Sequence, residues 1–176
     1  MPINLKKALF CIDASTFITM DKYYPPNLLN DLWVEFDTLF DQGKIISHSI
    51  VFDEITTKSR YKDHLTKWIL TKRNYFKGIS KVQIQYVPQI IKKFPGLIDA
   101  NREKDQADPW IIALAIEMDR EQMELFQKKQ IVFVVSEENK SSSIKIPAVA
   151  KHYGLRHLNL IELCQLLGWH FVLKKI

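Results

Sequence analysis

The sequence predicts an α/β fold, a three-layer sandwich with a mainly parallel central sheet flanked by helices. Three observations carry that expectation. Ala8–Ile12 and Ile131–Val135 are short apolar runs bounded by polar residues, the pattern of strands buried on both faces. Stretches with apolar residues three or four apart stand between and after them, so strands alternate with helices. Trp110–Ile116 is apolar on nearly every side, which suits a helix in the middle of the molecule. At 176 residues, 47% hydrophobic and 26% charged, the chain suits a single domain spanning residues 1–176. It shows no internal repeat or linker.

The elements follow in order. Tyr24-Pro25-Pro26-Asn27 breaks the chain after the first strand, and Leu28, Leu32, Phe36 and Phe40 then set a helix that Gly43 ends. Lys44–Ser47 reads as a short strand, and Ser49 as the cap of a helix from Ile50 to Lys58. A further helix is predicted over 63–76, stopped near Gly78, and another ahead of Pro95-Gly96. Pro109 suits the first turn of a helix running to about Phe126, with Asp108 just before it as a natural cap. A short helix over 146–152 ended by Gly154, a strand over 155–160 and a last helix over 161–167 complete the series.

Composition excludes several classes. No apolar run approaches the roughly 18–20 residues of a membrane span. The run after Lys6-Lys7 stops at Asp13, too early for a signal-peptide core. Cys11 and Cys164 both sit in apolar surroundings, as expected of reduced core residues in a cytoplasmic protein. The net charge is +5 and the pI near 9.1, but the charge is unevenly spread. Residues 57–95 hold ten basic residues against Asp63 alone, +9, leaving −4 for the remainder. This stretch, read as a basic helical insertion, interleaves Tyr61, Trp68, Tyr75, Phe76, Tyr86 and Phe94 with its charges. Basic surfaces attract phosphate backbones and rings can stack on unpaired bases. Lys58, Arg60, Lys72 and Arg73 are its candidate nucleic-acid contacts; a solvated helical face with a few core rings is the plainer account.

Carboxylates fall where a parallel sheet binds ligands, outside the carboxyl ends of its strands. Asp13 ends the first strand, and Glu137 and Glu138 follow Ile131–Val135 through Ser136. Asp13 could equally cap the next helix, and either glutamate could be loop surface. On the helix from Ile50, at about 100° per residue, Glu54 falls at about 40°, inside the arc of Ile50, Val51, Phe52 and Ile55, whereas Asp53 falls at about 300°. A carboxylate on a core-facing stripe is costly unless neutralised, so Glu54 is the functional candidate. Asp108 is held deep by the buried helix it opens, and Asp105 stands one turn earlier. Acids converging on one rim repel one another. A hard divalent cation resolves that, and Mg²⁺ or Mn²⁺ suits oxygen ligands better than zinc does. The expected chemistry is metal-assisted hydrolysis of a phosphate ester beside a basic flank.

The series CIDAS, Glu54, DQADPWIIALA and VVSEEN resembles the PIN-domain ribonucleases, above all a longer PIN-like branch with a similar ADPWIIALA stretch. The likeness runs from about Leu9 to Leu167. It implies a parallel sheet flanked by helices, Mg²⁺ or Mn²⁺ held by Asp13, Glu54, Asp108 and Glu138, and metal-dependent cleavage of RNA. Ser15, Asp105 and Ser136 would support the site, with Glu137 an alternative to Glu138 by one residue. Many members are toxins of type II toxin–antitoxin pairs, blocked by an antitoxin protein, and homodimers are favoured. The resemblance therefore implies an RNA substrate, an antitoxin partner and a homodimer, with no membrane. Two other readings stand beside it. One is a nucleic-acid-binding module with an inactive pocket. The other is an aspartyl phosphotransferase, for which Ser15 occupies the place of the usual second Asp. The five glycines form neither a GxGxxG nor a GK[ST] signature.

Overall fold

The computed structural model describes residues 4–58, 64–99, 101, 106–124 and 130–171. Five strands, β1 (Ala8–Ile12), β2 (Ile45–His48), β3 (Phe76–Lys77), β4 (Ile131–Val135) and β5 (Arg156–Leu158), form one sheet in the order β3-β2-β1-β4-β5. Every pairing is parallel, with Phe10 opposite both Ile45 and Phe133. The chain leaves β1 toward β2 and later returns to β1's other side as β4. The crevice between the carboxyl ends of β1 and β4 is thus the switch point where such sheets bind ligands.

Alternation along β1 divides the core. Ala8, Phe10 and Ile12 face the side of α1 (Ala14–Tyr23), α2 (Pro26–Asp41), α3 (Ser49–Lys58), α4 (His64–Thr71) and α8 (Leu160–Leu167). Leu9 and Cys11 face α5 (Lys81–Lys93), α6 (Ala107–Glu124) and α7 (Ile146–His152). The three-layer sandwich is the predicted one. Ile111 to Ala115 of α6 have no exposed surface, as the continuous apolar run requires. Both cysteines are free and buried. Among the described residues no helix is long and apolar enough to cross a membrane.

Several elements differ from expectation. α1, which the capping role weighed for Asp13 implies, has no stripe that marks it in the sequence: its buried residues Ala14, Thr16, Phe17 and Met20 include a threonine and a small alanine, which blunts the apolar pattern. The helix predicted over 63–76 stops at Thr71. A 3-10 turn over Arg73–Tyr75 and the two-residue strand β3 follow it. The basic stretch therefore supplies an edge strand as well as helices. The strand predicted over 155–160 is three residues long, because Asn159 and Glu162 form a capping box that starts α8 at Leu160.

The aromatic rings of the basic stretch are mostly structural. Trp68 packs edge-on against Trp33 and Phe40 and donates its indole N–H to Asp37 at 2.9 Å. Tyr75 lies on Phe40, and Phe76 is buried against Phe52. Tyr86 sits under Arg120 and Phe94 against His152, while Tyr61 lies outside the described residues. Among the described rings of this set, base stacking is not what the packing offers.

A buried polar chain ties the layers together. His48, at the end of β2, stacks on Trp110 and bonds through Nε2 to Gln83 Oε1 at 3.0 Å. Gln83 Nε2 donates to Glu117 Oε2 at 2.6 Å. Burial lowers the His48 pKa, so the ring stays neutral and its Nδ1 accepts from the Ile50 N–H that opens α3. Gln83→Leu removes both side-chain partners at once. It is expected to destabilise the fold by about 2–3 kcal/mol in urea unfolding, because a buried Glu117 is left short of a donor. An unchanged midpoint would show that the chain is dispensable.

Candidate metal centre

Asp13 occupies the N-cap of α1 directly after β1, and its N–H donates to Val135 O at 2.9 Å, which pins it beside the end of β4. Oδ2 accepts from the Ser15 N–H at 3.0 Å and the Ser15 hydroxyl at 2.7 Å. The capping expected of Asp13 is therefore real, but it employs one oxygen only. Oδ1 is buried and has no hydrogen-bond partner. An orphaned carboxylate oxygen on a residue 4% exposed is costly unless something binds there.

That oxygen belongs to a residue lining a pocket of about 350 Å³ whose wall also holds Ser15, Glu54, Asp99, Asp108, Glu138 and Lys145. Glu54 reaches it from α3 with Ile50, Val51, Phe52 and Ile55 buried beside it, while Asp53 is exposed. Asp108 does not cap its helix as the sequence suggested. α6 begins one residue earlier, at Ala107, and Asp108 lies in the first turn with Pro109 beside it. Proline is tolerated there because the N–H it lacks would have had no intrahelical partner.

The neighbouring glutamates divide. Glu137 Oε1 accepts from the Leu160 N–H at 2.7 Å, capping α8, and from the Thr16 hydroxyl at 3.4 Å. Glu138 lines the pocket; its Oε2 accepts from the Ile146 N–H at 2.7 Å and its Oε1 lies 3.2 Å from Lys145 Nζ. The two glutamates take different positions: Glu138 lines the pocket and Glu137 sits at a helix terminus. Ser136 is not brought to the pocket. It is fully buried, with its hydroxyl 2.9 Å from His157 Nε2. Side chains of β4 alternate, so only every second residue past its end can face the crevice. Asp105 lies outside the described residues.

Two members were missed. Asp99 follows the turn Pro95–Leu97 and is held by Gln106, whose side chain accepts from the Asp99 N–H and donates to the Asp99 carbonyl, both at 2.8 Å. The turn packs close because position 96 is glycine: a Cβ there would stand 2.8 Å from Ile144 Cδ1. Lys145 precedes α7. The sequence signals for both were slight, an acid after Leu97-Ile98 and a lysine before Ile146-Pro147, and neither is brought near Asp13 by local spacing.

The electrostatics follow from crowding. Burial pushes Asp108 up to about 8, with Asp13, Glu138 and Glu54 adding to the rise and Lys145 opposing it. Asp13 is also raised, by burial first, against the lowering hydrogen bonds from Ser15. Burial raises Glu137 as well, despite its bonds from Leu160 and Thr16. Among the described residues, no three metal-ligating side chains already converge on a common point. The donors nonetheless fit a hard divalent cation in kind: all are carboxylates, one has an unused buried oxygen, and no His or Cys lines the pocket.

The candidate nucleic-acid contacts are less uniform. Lys72 Nζ lies 2.6 Å from Asp37 Oδ1 and over the Phe40 ring, so its charge is already matched. Arg73 is exposed and its guanidinium lies over the Phe52 ring. The Lys58 side chain and Arg60 lie outside the described residues. Neither Lys72 nor Arg73 lines the acid pocket.

Comparisons with known proteins agree with this architecture. No curated protein matches the chain. Among solved structures, it is similar to a chain in the crystal structure of VapBC2 from Rickettsia felis bound to a DNA fragment from their promoter. The TM-score is 0.51 and the identity 16%, over 86% of this chain and 98% of the other. At that identity the likeness establishes the fold, which is that of the PIN domain. A family described as a domain of unknown function, DUF4411, matches residues 10–171. The chain therefore belongs to the DUF4411 family and has a PIN-like fold.

Proposed function

We propose that the protein is a metal-dependent endoribonuclease, the toxin of a type II toxin–antitoxin pair. The observation that carries the activity is the unpartnered, buried Oδ1 of Asp13, a residue that lines one pocket with Glu54, Asp108 and Glu138. A bound Mg²⁺ or Mn²⁺ would activate water and offset charge developing on the phosphate. The chain's own residues do the rest. Ser15 holds Asp13 through Oδ2 and accepts the Glu137 N–H at 3.1 Å, which fixes the first acid against the β4 side of the crevice. Asp13, Glu54, Asp108 and Glu138 would hold the ion, and the buried α6 keeps Asp108 from retreating. Lys58, Arg60 and Arg73 draw the RNA backbone toward this rim, with Lys72 contributing less because Asp37 engages it. The solved relative is named as a VapBC complex, which supports an antitoxin as this chain's protein partner.

The test is a cleavage assay on mixed single-stranded and structured RNA with Mn²⁺, Mg²⁺ or EDTA. Cutting with either ion and none in EDTA is expected. RNA bound with a steep salt dependence yet left intact in every lane would instead indicate a binding module. The glutamate pair separates activity from stability in the same assay. Glu137→Ala is expected to cost about 1 kcal/mol through the lost α8 cap while cleavage persists. Glu138→Ala is expected to lower cleavage by roughly 10–100-fold, the loss typical of groups around a metal. Reversed effects would move the fourth acid to Glu137.

A further inference from the structure

We propose that Lys145 is the substrate-binding cation of this pocket, giving its ammonium to a non-bridging oxygen of the RNA phosphodiester; the inference rests on the nuclease reading. The pocket wall carries five carboxylates, Asp13, Glu54, Asp99, Asp108 and Glu138. A phosphodiester adds another negative charge, and one divalent ion does not balance that total. Lys145 is the one lysine or arginine among the described residues lining the pocket.

Its placement is built rather than incidental. Ile146 is fully buried, which anchors the backbone, and its N–H donates to Glu138 Oε2 at 2.7 Å. The other oxygen of the same carboxylate receives Lys145 Nζ at 3.2 Å. Glu138 thus holds both the backbone and the head group of this segment. The lysine side chain is 41% exposed and the glutamate 17%, so the lysine is the more open to solvent of the pair. An ammonium has three N–H donors, and Glu138 accounts for one. The basic stretch steers the polyanion from a distance, whereas Lys145 meets the phosphate over the acids. The competing role is a built-in counter-ion for Glu138 that touches no substrate.

Lys145→Gln and Lys145→Arg, in the full chain, separate the two. Three readouts are needed: binding of a fluorescein-labelled single-stranded 12-nucleotide RNA in EDTA by anisotropy, steady-state cleavage with Mn²⁺, and Mn²⁺ binding without RNA by calorimetry. For Lys145→Gln we expect RNA affinity weakened at least 5-fold, KM raised to match, and Mn²⁺ affinity retained or tightened. Lys145→Arg should restore RNA binding to within about 3-fold of the parent. The ion pair is partly exposed, so the fold tolerates its loss, and melting curves check this. RNA affinity and KM within 2-fold of the parent in Lys145→Gln would overturn the proposal and leave a counter-ion only. A parent protein that binds RNA without cleaving it sinks the nuclease reading, and the anisotropy comparison still decides Lys145. A parent that neither binds nor cleaves RNA overturns both.

Discussion

Replacing Asp13 by Asn is expected to abolish Mn²⁺-dependent cleavage while leaving the protein as stable as before, or more so. The two halves of that result have separate causes. Asn is as good an N-cap as Asp, so α1 keeps its start and the Ser15 N–H keeps an acceptor. What disappears is a buried negative charge whose unused Oδ1 has no protein partner and whose pKa is raised by burial. The neutral amide relieves that burial penalty. Activity moves the other way. Groups around a metal usually cost 10–100-fold when removed, and a direct ligand should exceed that, on the order of 100-fold or more. Parallel thermal melts and RNA cleavage assays decide the matter. Full activity in Asp13→Asn would mean that Asp13 serves as a cap and nothing else, and a fold that collapses would mean that the carboxylate itself is structural. Proteins commonly give up stability at a site for function, and Asp13 has the signature of such a concession.

The parts of the fold and site that could be read in the sequence are those encoded locally. β1 and β4 show as isolated apolar runs, α6 as a helix with no polar side, and Glu54 through its angle on α3. α4 was drawn too long because Leu65, Trp68, Ile69 and Tyr75 keep helical spacing across the break at Thr71, and no glycine interrupts them before Gly78. β3 has two residues and no period to detect. The pocket walls were legible only in part, for a different reason. Asp13 and Glu138 end adjacent strands, so topology alone brings them together. Asp99 and Lys145 arrive on turns whose position depends on Gly96 meeting Ile144, on the Gln106 bracket and on the Ile146 N–H reaching Glu138. Each is a tertiary contact that no spacing rule along the chain expresses. The basic stretch misled in the opposite direction: its rings suggested base stacking, and Trp68, Tyr75 and Phe76 complete the core behind α2 and α3.

Metal and pH are expected to act on stability in opposition. With EDTA present, Asp108 titrates near 8 in the folded protein and near its ordinary carboxylate value when unfolded. Between those limits the folded state binds more protons than the unfolded state. Stability from this group is therefore present at acid pH and is lost as pH rises toward 8. The raised Asp13 adds in the same direction. A divalent ion needs these carboxylates ionised, so it competes with protons below that range and replaces them as counter-charge above it. Melting temperature in EDTA, taken relative to that of Asp108→Asn so that the opposing contributions of the buried neutral His48 and His157 cancel, should fall from pH 5.5 to pH 8. Mn²⁺ should shift it little at pH 5.5 and clearly at pH 8. At a hundredfold excess over the dissociation constant the stabilisation is about 2.7 kcal/mol, or on the order of 5–10 °C for a chain of this length. Calorimetry at pH 7 in buffers of different ionisation enthalpy should register protons released as the ion binds, with Asp108 among their sources. In Asp108→Asn the EDTA profile should flatten, because the group that titrates is gone. A Mn²⁺ shift of equal size at both pH values would place the ion away from these acids and would remove the physical basis for catalysis at this pocket.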